Sequence, residues 1–513
     1  MATDTLSAER ISPHGGAAAV AGTLAALASA AEVLAQDIPA GDLGRRAAVH
    51  VLNRLGFGPR PGDVEHVMSM GLDRYILQQL DPRVDADLEQ RLEAFPALGW
   101  TLPQSWDYYI SDQRQDTNTN YIGDLNNQQR SAQIVRAVHS KNQLHEVMTW
   151  FWFNHFNVNI ADDQRVRTSI HDYEAQLRQH ALGKFPDLLN ATAHHPAMMA
   201  YLDNYLSTIS RYDRTGRLTS GLNENYGREL LELHTVGVDA GYSQNDVVEA
   251  SRCLTGHGID NVGQSGNYMY RPATHDDGSK QVFGLSVGSG GGAGDVERLL
   301  DHLAAHPATA RFVSKRLAQR FVADDPPEAL VSRLASVFLG SGGDLREVTK
   351  ALFGSAEFWA EAFGTGKPKT GFEFVISAVR AAGGEVQNPR LVRIAIQDSG
   401  MPLYACNPPT GYSNRGADWL NPSAQLYRMN FALDLAAGMV AGAQVDIRGL
   451  IKTGGGDPDS PASAAEAINR VVFGRTLGAA SLGAAGRVSS SGTVSVPARV
   501  AGLLLASPEM QVR

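Results

Sequence analysis

The sequence predicts a mainly α-helical protein: a large multi-helix domain with a small irregular or β excursion near residues 260–293. Three observations carry this expectation. Apolar residues recur at helical spacing through much of the chain, Gly/Asn-rich loops separate the periodic stretches, and one segment alone loses helical character. More than about 40% of residues should then be helical, above the usual third.

Residues 1–44 read as a leader, either an export signal or a disordered Ala-rich segment. Residues 11–31 hold no Asp, Glu, Lys or Arg and end near Ala-Leu-Ala-Ser-Ala, but Asp4 and Glu9 outweigh Arg10 ahead of them. A secreted or periplasmic destination is therefore expected, with a cytoplasmic one as the alternative. The run is too weakly apolar to span a membrane, and no later stretch does better.

The main helical domain is expected over residues 45–452. Within residues 52–80 a helix, a Gly-Phe-Gly-Pro turn and a second helix from Asp63 follow one another. Residues 131–156, with Ile134, Val138, Leu144, Val147 and Phe151 at helical spacing, predict one long buried helix. Residues 171–182 and 185–202 continue the pattern, and residues 204–222 form a polar loop. A helix from Asn245 ends at Gly256-His257-Gly258, and the β excursion follows, rich in Gly, Tyr, Ser and Thr. Helices resume over 295–362, with breaks at 364–371 and 407–422. Residues 453–463, containing Gly-Gly-Gly-Asp-Pro-Asp-Ser-Pro, read as a linker to a C-terminal helical segment, 464–513, packing on the main domain.

A net charge of −9 and the lack of any Lys/Arg run argue against a nucleic-acid partner. Cys253 and Cys406 form no Cys-x-x-Cys. Buried thiols are the favoured reading and a disulfide in an oxidising compartment the other.

The chemistry concentrates in residues 223–234, Asn-Glu-Asn-Tyr-Gly-Arg-Glu-Leu-Leu-Glu-Leu-His. Asn223 is suited to cap a helix. At 3.6 residues per turn Asn225, Glu229 and Glu232 share a face, and Arg228 reaches Glu232. Such a carboxylate pair either divides acid and base roles or forms a salt-bridged surface. Glu229 is expected to face a solvent-accessible pocket, with burial raising one carboxyl and the arginine lowering the other. The catalytic candidates are Glu229, Glu232, Asp203 and His155. The substrate-binding candidates are Arg228, Asn225, Tyr226, Trp152 and His275.

Glu-x-x-Glu-x-His matches neither the His-Glu-x-x-His zinc pattern nor the Glu-x-x-His di-iron pattern, so a divalent metal is the less favoured reading. His155, among Trp152, Phe153 and Phe156, has a competing role as a core histidine bonded to backbone. His195 and His306 each precede proline and read as helix caps. Gly284-Leu285-Ser286-Val287-Gly288 matches Gly-x-Ser-x-Gly but lacks the following helix of a nucleophile elbow. Arg311, Lys315, Arg316 and Arg320 place a basic stripe on one helix, by default a solvated face and otherwise an anion groove.

Several ordered motifs resemble the bacterial domain of unknown function 1800 family. They are Leu-Asn-Arg-Leu-Gly-Phe-Gly-Pro at 52–59, Trp-Phe-Asn-His-Phe-Asn-Val at 152–158, and His195-Pro196-Ala197-Met198 with Tyr201-Leu202-Asp203-Asn204. Residues 223–237, Leu254-Thr255-Gly256, His275-Asp276, His306-Pro307-Ala308 and Ser507-Pro508-Glu509 continue the series. The likeness covers roughly residues 45–513 and departs at His257, where an aromatic residue is expected. It implies a fold and a motif set, not an activity. The residues themselves favour a hydrolase using clustered carboxylates on an extracellular or envelope polymer, with polysaccharide first. The alternatives are a metal-dependent enzyme with His/Glu ligands acting on a small molecule or polymer, and a non-catalytic surface or assembly protein.

Overall fold

The computed structural model describes residues 40–115, 121–212, 214–215, 218–260, 265–489 and 491–513; the leader expected over residues 1–44 lies almost wholly outside them. Helices make up 61% of the structure, well above the 40% threshold, and the strands form only short antiparallel pairs. The β excursion is two such pairs: His257–Ile259 with Tyr268–Tyr270, and Lys280–Val282 with Leu285–Val287. Phe283 and Gly284, both at positive φ, turn the second pair and leave Ser286 exposed on a strand, bonded to Gln281. The Gly-x-Ser-x-Gly match is thus a hairpin.

The single helix expected over residues 131–156 is two, Tyr121–His139 and Gln143–His155. Gln143 sits at the break. Its buried amide donates to Ala137 O (3.1 Å) and Ser140 O (2.9 Å), satisfying helix-end carbonyls, and accepts from Phe57 N (3.0 Å). A side chain thereby replaces the intrahelical bonds that apolar periodicity alone would continue. The stretch 185–202 likewise divides into Phe185–Ala193 and Pro196–Tyr201. His195 Nδ1 accepts from Ala197 N at 3.1 Å, and His306 Nδ1 caps the next His-Pro-Ala in the same way.

The Gln143–His155 helix runs through the core, nearly every residue buried. Buried charges tie it to its neighbours. Arg178 bridges Glu146 (2.8 Å) and Glu174 (2.6 Å), and Arg136 meets Glu174 at 3.3 Å. Burial alone pushes the Glu174 carboxyl up, but Arg178 and Arg136 hold it at about 2. Removing one partner of such a buried group would leave an uncompensated charge in the core. The basic stripe is not uniformly solvated. Arg311 is exposed and paired with Glu328, whereas Arg320 is buried against Glu373 at 2.9 Å.

The C-terminal residues pair antiparallel with the extended segment 367–369 through Lys367 N to Arg513 O (3.0 Å), Arg513 N to Lys367 O (2.8 Å) and Lys369 N to Gln511 O (2.8 Å). Residues 454–460 form a tight turn in which an added Cβ on Gly456 would lie 2.5 Å from Ala467 Cβ. Cys253 and Cys406 are buried free thiols, so the alternative of a disulfide is set aside. No helix among the described residues is long and apolar enough to cross a membrane.

Candidate functional site

Asparagines assemble the site. Asn223 Oδ1 accepts from Asn225 N (2.9 Å) while its amide donates to Asp203 O (3.3 Å), and Asn225 Nδ2 reaches Leu202 O (3.4 Å). Asn204, buried, donates to Leu254 O (3.2 Å) and His257 O (2.9 Å). The two motif segments are thereby clamped together. Asp203 is left exposed in the left-handed region, φ 57°, which Asp tolerates better than most residues.

The helix after Asn223 is not the straight α-helix the sequence predicts. Asn225–Glu229 is α-helical, but Leu230–His234 widens into a π turn. Thr235 Oγ1 donates to Leu230 O (2.6 Å) and Gly237 N to Leu231 O (3.0 Å), replacing the bonds that the wider turn disturbs. Such single π turns are rare and concentrate at functional positions. Gly227 permits close helix approach, since a Cβ there would lie 2.1 Å from Ser251 Oγ.

Glu229 is half-buried beside this turn. Burial first, then the charge of Glu232, raises its carboxyl above the usual range, with Arg228 opposing. Glu232 pairs with Arg228 at 3.5 Å, and the Tyr242 hydroxyl bonds to it as well. Arg228 also holds Gln244 (2.8 Å) and Glu224 (3.6 Å). Tyr201 donates to Asn407 O at 2.5 Å. Burial, Cys406, Asp162 and, less strongly, Glu229 push its hydroxyl up. Burial and Asp163 raise Asp203, and burial, Asp163 and Asp203 raise Asp162. The result is an acidic surface face with one half-buried carboxyl near a tyrosine hydroxyl.

A loop the sequence marks only as a Gly/Pro-rich break completes the face. Asn157 Nδ2 donates to Cys406 O (3.1 Å) and Pro408 O (2.9 Å), and Asn159 Nδ2 to Asn407 Oδ1 (2.7 Å). This loop is the member that motif and spacing do not point to, whereas Tyr201 is one of the aromatics that the sequence places near the carboxylates. Asn-Pro-Pro-Thr-Gly-Tyr at 407–412 was the available signal, a rigid turn rich in backbone acceptors.

The profile of a family described as protein of unknown function (DUF1800) matches residues 50–512, nearly the whole chain. The chain belongs to the DUF1800 family. No curated protein and no solved structure matches it.

In this DUF1800 chain five of the nine sequence-derived site residues share the face: Asp203, Asn225, Arg228, Glu229 and Glu232. The other four lie in the interior. His155 is enclosed by Phe151, Trp152, Phe156 and Phe312, with Nε2 donating to His234 O at 3.1 Å and burial pushing its pKa well down. Trp152 is fully buried and donates to Ala181 O (2.9 Å); Tyr226 is buried as well. His275 bonds to Thr255 O (2.7 Å) and Asp295 (3.3 Å) beneath the β hairpins. None of the four described cavities is lined by any of the nine. Among the described residues no group of three or more His, Cys, Asp or Glu is placed to hold a metal ion.

Proposed function

We propose that this DUF1800 protein is a hydrolase in which Glu229 is the proton donor, acting on a polymer laid across the face formed by Tyr201, Asp203, Asn225 and Glu232. The observation that carries the reading is the raised carboxyl of half-buried Glu229. A carboxyl that holds its proton more tightly than usual is suited to deliver it to a leaving oxygen. Glu232, paired with Arg228 and Tyr242, serves as the partner carboxylate that takes a proton from the attacking water. The bond to the leaving oxygen breaks as the new C–O bond to water forms, which returns both carboxyl groups to their starting states after proton exchange. A surface face rather than an enclosed cavity suits an extended chain, and polysaccharide is the favoured polymer because two carboxylates suffice for glycoside cleavage. Export to the cell envelope or beyond belongs to the same proposal.

The test is reducing-end release from a panel of soluble polysaccharides by the full chain and by Glu229→Gln. The variant should lose at least about a hundredfold of activity, since the shape is kept and the ionisable proton removed. Release from no member of the panel, or equal release by wild type and variant, overturns the proposal.

A further inference from the structure

A second place in the fold is built to receive a ligand. A cavity of about 400 Å3 lies between the Ala40–Arg54 helix, the 361–369 segment and residues 508–513, apart from the acidic face. That volume suits a small organic molecule. Val49, Phe473, Met510 and Val512 supply an apolar wall.

The interior beside it carries more positive than negative charge. Glu373 is shared by Arg320 (2.9 Å) and Arg513 (2.7 Å), Glu361 meets Arg54 (3.4 Å), and Asp324 meets Lys367 (2.9 Å). Lys369 and Arg428 are also buried, yet neither has a carboxylate within 4.0 Å among the described residues. Lys369 Nζ donates only to neutral groups, Ser377 Oγ (2.8 Å), Met510 O (3.0 Å) and more distantly Met510 Sδ. A buried ammonium without a counter-charge is strongly disfavoured, and an anion in the adjoining cavity would relieve it. Burial lowers this amine to about 7, in keeping with the missing partner.

Three residues that line the cavity also carry buried polar atoms with no partner: His50 Nε2, Asn53 Oδ1 and Arg513 Nε. The His50 ring is kept neutral by burial and by Arg54, and it bonds to the Phe358 backbone, which leaves Nε2 as a bare acceptor. Asn53 spends its amide N–H on Val49 O (3.0 Å), leaving Oδ1. Buried acceptors of this kind call for hydroxyl or N–H donors. The two side-chain carboxylates in the wall do not compete, because Glu361 is paired with Arg54 and Glu509 accepts from Gly478 N (2.9 Å) and Ser481 Oγ (2.8 Å).

We infer that this cavity binds a small hydroxylated organic anion, its carboxylate or phosphate held by Lys369 and Arg513 and its hydroxyls donating to His50 Nε2 and Asn53 Oδ1. Arg46, half-buried in the cavity wall, adds to the attraction.

Calorimetric titration of the full chain with gluconate, glucose 6-phosphate, inorganic phosphate and glucose tests this. Gluconate or glucose 6-phosphate should bind at least tenfold more tightly than inorganic phosphate, and glucose should give no signal. Lys369→Met should lose at least tenfold in affinity without a lower melting temperature. Arg46→Glu, a change away from the deepest part of the core, should weaken binding likewise and decides the matter if the lysine variant does not fold. The inference is overturned if neither organic anion binds, if inorganic phosphate or glucose binds as well as glucose 6-phosphate, or if Arg46→Glu binds like the wild type.

Discussion

Asn154 and Tyr412 hold each other by two hydrogen bonds: Asn154 Nδ2 donates to Tyr412 O at 2.8 Å, and Tyr412 N donates to Asn154 Oδ1 at 2.7 Å. The side-chain amide thus acts as a strand partner for the loop that borders the acidic face. Gly411, at φ 70°, makes the approach possible, since a Cβ there would lie 2.2 Å from Asn154 O.

Gly411→Ala should therefore destabilise the protein by more than the ~1 kcal/mol expected from positive φ alone, because the loop must also move away from the helix. Asn154→Ala should cost about 1–3 kcal/mol, leaving two backbone groups without partners. Denaturant melts check both, and a Gly411→Ala midpoint equal to wild type would refute the docking role.

Glu229→Gln should fold with normal or slightly higher stability at neutral pH. The folded-state carboxyl is raised, so its contribution to stability is full below its unfolded value and is lost as pH rises through the folded one. Thermal melts at pH 5 and pH 8 should show the variant gaining relative to wild type at the higher pH. A large loss at pH 8 would instead mark Glu229 as part of a structural charge network.

Lys369 predicts a dependence in the alkaline range. Burial lowers its ammonium to about 7 from the ordinary 10.5, with Glu373 opposing and Arg428 adding to the effect. The unfolded chain then holds more protons than the folded one between these values, so stability from this group rises with pH across that window. The melting-temperature advantage of Lys369→Met over wild type should shrink from pH 7 to pH 10. A constant difference would mean that the lysine does not titrate there.

The opposite sign holds for Glu174. Its carboxyl is held at about 2 against an ordinary 4.5, so the stability it contributes above 4.5 is lost as pH falls through that window. Arg178→Met leaves Glu146 and Glu174 buried without their shared partner and should cost about 3–5 kcal/mol at neutral pH. Urea melts at pH 7 and pH 3 measure both effects, and a midpoint insensitive to the substitution at pH 7 would discount the network.

Cys253 and Cys406 should both react with a thiol reagent after denaturation without reductant, and reductant should leave the melting temperature unchanged. A reductant-dependent fall would reveal a bond.

Features that depend on neighbours along the chain are legible in the sequence. Helical periodicity announced the fold class, His-Pro-Ala announced two helix starts through the fixed φ of proline, and Gly/Tyr-rich composition announced an irregular or β excursion. The sequence also brought out Glu229 with Arg228 and Glu232, because a helix places residues three and four apart on one side. Tertiary structure decided the rest. His155, Trp152, Tyr226 and His275 carry groups suited to catalysis or binding, and only the packing around them turned those groups inward. The break at Gln143 depends on a buried amide meeting Phe57, and the acidic face depends on Asn157 meeting a loop about 250 positions away. The excess of positive charge around Lys369 arises where residues from 54 to 513 converge, each ordinary within its own helix or turn. No local pattern encodes such meetings, because burial and partner choice are properties of the assembled core.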